Sequence, residues 1–335
     1  MTTSHNSKSL TPKYLQEDGL SEECKKLLST LPKEKGLIGS YIYNYQGFWV
    51  SPRIIQGVIA CQKQFQAQES DIILVTTPKS GTTWLKALVF TLVNRIRFPL
   101  SAQNHPLLVK NPHSLVPFLE LKLYIDGQVP DFSSFTTHRL LATHLPFASL
   151  PKSVQDSKSK LIYLCRNPRD TFISMWHFTN KLRSHYIDTN SIEEMFDLFC
   201  KGVSLFGPFW DHVLDYWKKS LEKPKRVLFL MYEEIKEKPE IQLKRLAEFL
   251  ECSFSEEEET SGVVNEILKM CSFENLSNLE VNKNEKWPTG EEHKLFFRRG
   301  EVGDWKNYFT TVMVEKLDHI IEQKFVGSGL SFYYT

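Results

Sequence analysis

Lys79, Ser80, Thr82 and Thr83 crowd around a lone glycine in Thr76-Thr77-Pro78-Lys79-Ser80-Gly81-Thr82-Thr83-Trp84. One mobile cation among hydroxyl donors suits a phosphate-like anion. The flanks supply the rest of the cradle. Ile72-Ile73-Leu74-Val75 reads as a buried parallel strand, and Trp84 to Ile96 reads as an amphipathic helix. The N–H groups of a helix's first turn lack internal partners, and the helix dipole favours an anion beside them. Residue order narrows the ligand. An ATP-type loop reads G-x-x-x-x-G-K-S/T, with its hydroxyl on magnesium; here the lysine comes first, one glycine follows and an aromatic residue closes the loop. That order argues against a Walker nucleotide hydrolase. A second reactive candidate is His144, at the end of a strand-like segment in Ala142-Thr143-His144-Leu145-Pro146. Neutral imidazole can take a proton from a hydroxyl near pH 7. The chain has ten histidines, and a lone one more often packs than reacts.

The elements that must position these groups follow from apolar patterning. Short β-rich runs at Ile72–Thr77, Arg139–Thr143, Leu161–Arg166 and Val227–Tyr232 look like parallel strands covered on both faces. Helical spacing predicts Thr82–Ile96, Arg169–Leu182, Ile192–Phe206, Pro208–Leu221, Pro239–Leu250 and Val312–Phe325. The expected fold is a single α/β domain, a central parallel sheet flanked by helices on both faces. Ligands of such a sheet gather beyond the strands' carboxyl ends. Lys79, His144, Arg166 and Tyr232 all fall there. Residues 1–20 read as a flexible arm and 21–335 as one domain. Tyr41, Tyr43, Tyr45, Phe48 and Trp49 crowd around Gly47, either as a core-covering strand or as one wall of an apolar pocket.

Four motifs, in order along most of the chain, resemble those of plant-type cytosolic sulfotransferases. Pro78-Lys79-Ser80-Gly81-Thr82-Thr83-Trp84 is similar to the family's 5′-phosphosulfate loop. Cys165-Arg166-Asn167-Pro168-Arg169-Asp170 and Ser174-Met175-Trp176-His177-Phe178 are similar to its 3′-phosphate segment. Phe296-Phe297-Arg298-Arg299-Gly300-Glu301-Val302-Gly303-Asp304-Trp305 resembles its C-terminal R-K-G-x-x-G-D-W element, with Arg299 in place of a frequent lysine. Similarity around Ser272 to Asn282 supports the plant-type assignment. The resemblance implies 3′-phosphoadenosine 5′-phosphosulfate (PAPS) as co-substrate and no metal. It implies Lys79 as the partner of the leaving phosphate, with Ser80, Gly81, Thr82, Thr83 and Trp84 on the 5′ end. Arg166, Ser174, Arg298, Arg299 and Gly300 would take the 3′-phosphate, since arginine forks match phosphate oxygens in pairs. Tyr232 and Phe273, with Trp84, would meet adenine, and His144 would be the general base. Ala142 stands where many animal relatives carry lysine, so help from that position must be absent or come from elsewhere.

The same resemblance points to a small hydrophobic hydroxylated acceptor, with Phe118 and Phe178 as pocket candidates by motif; Phe48 and Trp49, from the aromatic cluster, are added to them. Flavonols and other phenolics come first; brassinosteroid-like sterols, hydroxyjasmonate and desulfoglucosinolates follow. Two different classes stay open on the residues alone: a nucleotide kinase, or a noncatalytic adenosine-bisphosphate sensor. The formal net charge of +1 gives no general attraction to nucleic acid or anionic membrane. Six scattered cysteines without a C-x-x-C pair read as reduced thiols. The polar Met1 to Pro12 lacks the apolar core of a signal peptide, which suggests a cytoplasmic setting. Asn282 to His293 reads as a loop, either a lid or a surface connection. Lys306 to Glu315 partly resembles the family's dimerisation pattern, with Thr311 in place of valine, so a monomer or a weak homodimer is expected.

Overall fold

The computed structural model describes residues 12–39, 41–133, 138–183, 189–287 and 291–332. Three short strands, β1 (Lys33–Lys35), β2 (Tyr41–Tyr45) and β3 (Phe48–Val50), form an antiparallel sheet in sequence order. Gln46 (φ 53°) and Gly47 (φ 89°) turn β2 into β3, the pair of positive φ values that a tight hairpin needs.

The central sheet is four-stranded and parallel, in the order β5-β4-β6-β7. Its strands are β4 (Ile72–Thr76), β5 (Leu140–Thr143), β6 (Lys160–Cys165) and β7 (Val227–Met231). Both faces are covered, which explains why the strands read as unbroken apolar runs. Ile73, Val75, Leu141, Leu161, Tyr163 and Phe229 pack into one core; Ile72, Leu74, Ala142, Ile162, Leu164 and Leu230 pack into the other. Register pairs Val75 with Thr143, Thr76 with Leu164 and Cys165 with Met231. The carboxyl ends are therefore level. Lys79, His144, Arg166 and Tyr232 leave the sheet at one edge, as the strand pattern implies.

Several expected boundaries shift. Each strand stops one residue short of its expected end or begins one later, so Arg166 and Tyr232 stand just beyond the sheet. The helix expected over Ile192–Phe206 ends at Cys200. There Gly202 adopts φ 82°, and its N–H and that of Val203 fold back onto the carbonyls of Phe199 and Leu198, a left-handed helix stop. The arm expected over residues 1–20 is docked from Pro12 onward. Ser51 Oγ donates to the Tyr14 carbonyl at 2.7 Å, and Arg53 donates to the Asp18 and Gly19 carbonyls at 2.9 and 3.0 Å. Residues 1–11 lie outside the described residues.

The Asn282–His293 segment is not a plain surface loop. Asn282 is fully buried in a short helix (Glu280–Lys283). Its side-chain amide accepts from Asn111 at 2.9 Å and donates to the Leu276 carbonyl at 2.8 Å. The buried amide needs those partners, so the segment is anchored at its start. Residues 288–290, within the segment read as either a lid or a surface connection, lie outside the described residues.

Candidate active site

A cavity of about 630 Å³ opens at the carboxyl edge of the central sheet. The turn after β4 forms its floor. Lys79 has φ 70° and Gly81 φ 103°. A Cβ on Gly81 would lie 2.8 Å from Tyr232 Cδ2, so both backbone angle and space demand glycine. The helix Thr82–Asn94 begins there, and its first turn faces the cavity through Gly81, Thr82, Thr83 and Trp84. Ser80 does not line it. Its hydroxyl lies against Thr77 Oγ1 at 2.6 Å and its N–H bonds the Thr77 carbonyl. Ser80 is thus held within the turn, sharing a hydroxyl bond with Thr77 in which either oxygen can donate.

Lys79 Nζ sits 4.0 Å from the Phe178 ring centroid and 5.5 Å from that of Phe296. Burial, followed by the nearby charges of Arg298 and Arg166, pushes its pKa down to about 7. Among the described residues the surroundings hold cations together with no carboxylate paired to Lys79, an arrangement that an arriving polyanion would relieve.

Arg166 follows β6, and Ser174 stands on the helix Pro168–Arg183; both line the cavity with Arg298, Arg299 and Gly300. Distant chain segments close on one another here. Arg166 donates to the Glu301 carbonyl at 2.7 Å, and Tyr232 Oη donates to the Gly300 carbonyl at 2.9 Å. Arg298 meets Asp304 at 2.5 Å, and Arg299 also pairs with Asp304. Among the described residues, the buried Nε atoms of Arg166 and Arg298 have no hydrogen-bond partner. Such orphan donors are rare, and they fit an anion's oxygens. Trp84 meets Tyr232 edge-on at 5.2 Å, and Phe273 lies against Gly300. These aromatic groups line the same end of the cavity.

His144 is the first residue after β5 and is buried. Its Nδ1 lies 2.7 Å from the Thr76 carbonyl. A carbonyl only accepts, so Nδ1 carries the proton and Nε2 carries the lone pair. Burial lowers the pKa to about 3, despite the bond to Thr76. The main chain is held too: the His144 N–H donates to Glu120 Oε1 at 2.8 Å, and His212 Nε2 donates to the His144 carbonyl at 2.9 Å. Glu120, fully buried, also accepts from Thr143 Oγ1 at 2.9 Å. Burial raises the Glu120 pKa to about 7, against the hydrogen bonds that favour its charged form.

The other end of the cavity is mainly apolar. Phe118 and Phe206 stand 4.6 and 5.2 Å from the His144 ring, with Phe178, Leu205, Tyr14 and Phe296 around them. Phe118 and Phe178 line the pocket as expected of them, whereas Phe48 and Trp49 do not. Phe48 is core, stacked beneath Phe206 at 6.0 Å. Trp49 exchanges backbone bonds with Phe206 and Gly207. β3 therefore shapes the wall from behind, because the hairpin spends its aromatic faces on the core.

Sequence reasoning missed Glu120, His113, Lys86, Asp170 and the Leu205-Phe206 wall. One signal was visible: Lys86 interrupts an otherwise apolar helical run. The remainder depends on contacts between segments far apart in sequence.

Comparison with known proteins follows the same lines. A family model described as a sulfotransferase domain matches residues 69–329. The chain is 54% identical to cytosolic sulfotransferase 12 of Arabidopsis thaliana, over 98% of this chain and 99% of that protein. Identity to cytosolic sulfotransferase 15 of the same plant is 51%, over 96% and 90%. Among solved structures, a candidate steroid sulphotransferase of A. thaliana is 48% identical, with TM-score 0.76, covering 96% of this chain and all of that one. A mouse sulfotransferase complexed with PAP is 27% identical, with TM-score 0.66, over 86% and 95%. The cytosolic names of the plant relatives agree with the expected setting, and no described helix is long and apolar enough to cross a membrane. A family model spanning most of the chain, together with plant relatives about half identical from end to end, shows that this protein belongs to the sulfotransferase family.

Proposed function

We propose that this PAPS-dependent sulfotransferase sulfonates a hydroxyl of a flat apolar acceptor, a flavonol or related phenolic first, with His144 as general base. The observation that carries the reading is the His144 tautomer. Its Nδ1–H is spent on the Thr76 carbonyl, which leaves Nε2 to accept the acceptor's proton. The acceptor oxygen then attacks sulfur, the bond from sulfur to the bridging oxygen breaks, and its electron pair goes to the departing 5′-phosphate. Lys79 and the first-turn N–H groups of the helix Thr82–Asn94 stabilise the charge that develops there. PAPS supplies the activated sulfuryl group; the chain orients it and excludes water.

Arg166 and Arg298, with their unpartnered buried Nε atoms, support a second phosphate at the far end of the same nucleotide. Ser174, Arg299 and Gly300 stand beside them on the cavity wall. PAP, the desulfonated donor, in the mouse relative's structure supports the same nucleotide for this chain. The aromatic wall of Phe118, Phe178 and Phe206 favours a planar acceptor. A sterol is the second reading, supported by the A. thaliana structure described as a candidate steroid sulphotransferase.

The test is a labelled-PAPS assay against hydroxylated phenolics, sterols and oxylipins, run with wild type and His144→Ala. Transfer to a phenolic that His144→Ala abolishes, with PAP affinity retained, is the expected result. Magnesium-dependent ATP turnover without transfer would favour a kinase. Nucleotide binding without any transfer would favour a sensor.

A further inference from the structure

Lys86 is one of the largest fully buried side chains, in the core-facing part of the helix Thr82–Asn94. Among the described residues it has no ion-pair partner within 4.0 Å; burial pushes its pKa well below the usual lysine value, and Glu120 opposes that shift. A buried ammonium without a paired carboxylate costs stability, and an apolar side chain would fill this helix more cheaply. Its surroundings are specific. Nζ lies 3.3 Å from the Phe118 ring centroid and 3.1 Å from His113 Nδ1. The other nitrogen of the ring, Nε2, lies 2.9 Å from Thr83 Oγ1. Thr83 is a first-turn residue of the anion cradle, and His113 itself lines the cavity beside Phe118 and Phe296.

The direction of this chain of hydrogen bonds is set at its buried end. An anion in the cradle favours the protonated amine, which can only donate, so in that state His113 Nδ1 accepts and the ring proton sits on Nε2. Nε2–H then donates to Thr83 Oγ1. The threonine's own hydroxyl proton is left free to point at an anion in the cradle. Without the lysine, His113 is free to place its proton on Nδ1 and accept from Thr83, turning that hydroxyl away.

We propose that Lys86 is a positioning residue for sulfuryl transfer, acting through His113 to aim the Thr83 hydroxyl at the sulfonate end of the donor. With an anion bound it places a second positive charge behind the cradle, separate from Lys79, and transmits it by hydrogen-bond polarity rather than by contact. The proposal rests on the transfer reading above. It concerns donor orientation, so it does not depend on which acceptor is used.

The experiment compares wild type, Lys86→Met, Thr83→Val and the double variant. The readouts are kcat, PAP affinity by calorimetry and thermal midpoint. Lys86→Met is expected to melt no lower than wild type, because an unpaired buried charge is replaced by an apolar chain of similar length. Its kcat is expected to fall by about tenfold, the worth of one charge-assisted hydrogen bond. PAP has no sulfonate, and its affinity should stay within about twofold, a margin of a few tenths of a kcal/mol. The double variant should be no slower than Thr83→Val alone, since both changes remove the same contact. Wild-type kcat in Lys86→Met, or losses that multiply in the double variant, would overturn the proposal. Should Lys86→Met fail to fold, His113→Phe breaks the same chain within an aromatic cluster, and the same pattern with Thr83→Val is required of it. A wild type that transfers nothing would instead overturn the functional reading.

Discussion

The carboxylate of Asp170 accepts the backbone N–H of Gly303 at 2.8 Å, from 133 residues away along the chain. It accepts the Trp305 N–H at 3.0 Å as well, and its Oδ2 also takes the Asn167 side-chain amide at 2.9 Å. One fully buried side chain thus fastens the loop carrying Arg298 and Arg299 to the helix that follows Arg166. The sequence named Asp170 only as part of the Cys165–Asp170 motif. The fold instead makes Asp170 the clasp between two halves of the anion site.

Asp170→Asn keeps one acceptor oxygen and turns the other into a donor facing an N–H. Leaving a buried N–H unpaired costs about 1–3 kcal/mol. The thermal midpoint should fall, and PAP affinity should drop more than the affinity for adenosine 5′-phosphate, which lacks the 3′ group. Equal losses for both nucleotides would show that the clasp does not serve the 3′ end. Calorimetry with the two ligands distinguishes these outcomes.

Gly300→Ala should damage the same end from another direction. Gly300 has φ +67°, and a Cβ there would lie 2.5 Å from Phe273 Cδ2. The left-handed backbone alone costs an alanine about 1–2 kcal/mol. Phe273 must move, and the bond from Tyr232 Oη to the Gly300 carbonyl is strained with it. PAP affinity is expected to fall by about tenfold, equivalent to 1.4 kcal/mol, with kcat at saturating donor less affected.

Lys79 gives the donor site a pH signature. Its pKa is pushed down to about 7 by burial first, and then by Arg298 and Arg166. Above pH 7 the free enzyme therefore holds it largely neutral. Bound phosphates favour the ammonium and raise that pKa, so binding must take up a proton there. Calorimetry of PAP binding at pH 8 in two buffers of different ionisation enthalpy should report this uptake. It should vanish in Lys79→Met and shrink below pH 6, where the lysine is already charged. Equal heats in both buffers at pH 8 would contradict the prediction.

Glu120→Gln should weaken catalysis through His144 without touching the nucleotide. One of the two bonds, to the His144 N–H or to Thr143 Oγ1, loses its acceptor, and kcat is expected to fall by about tenfold. Stability should change its pH dependence as well. The folded pKa of Glu120 is raised from 4.5 to about 7, so the folded state binds more protons between those values. Its contribution is present below pH 4.5 and is lost as pH rises through 7. The glutamine variant cannot ionise, and its melting temperature should decline less than that of wild type from pH 5 to 7.5.

Much of this site was legible because parallel strands buried on both faces leave an unmistakable apolar signature. The residue after each strand then has only one place to go. Lys79, Gly81, His144, Arg166 and Tyr232, placed beyond the strand ends by that pattern, and Arg298 to Gly300, singled out by their motif, all line the cavity. Phe48 and Trp49 misled because aromatic composition reports a packed surface without saying which side faces a ligand; the hairpin turned Phe48 under Phe206. A hydroxyl in a turn can serve either the turn or its ligand, and the Ser80 hydroxyl shares a bond with Thr77 Oγ1.

The sequence alone determined the strand order of chemistry along the chain, the glycine-dependent anion turn and the family, since local patterning and motif spacing are written in consecutive residues. Only the tertiary structure decided the proton's place on His144, the Asp170 clasp and the Lys86–His113–Thr83 chain. Each of the three depends on hydrogen-bond distances of about 3 Å between groups on separate segments, and such distances arise only when the cores on both faces of the sheet close.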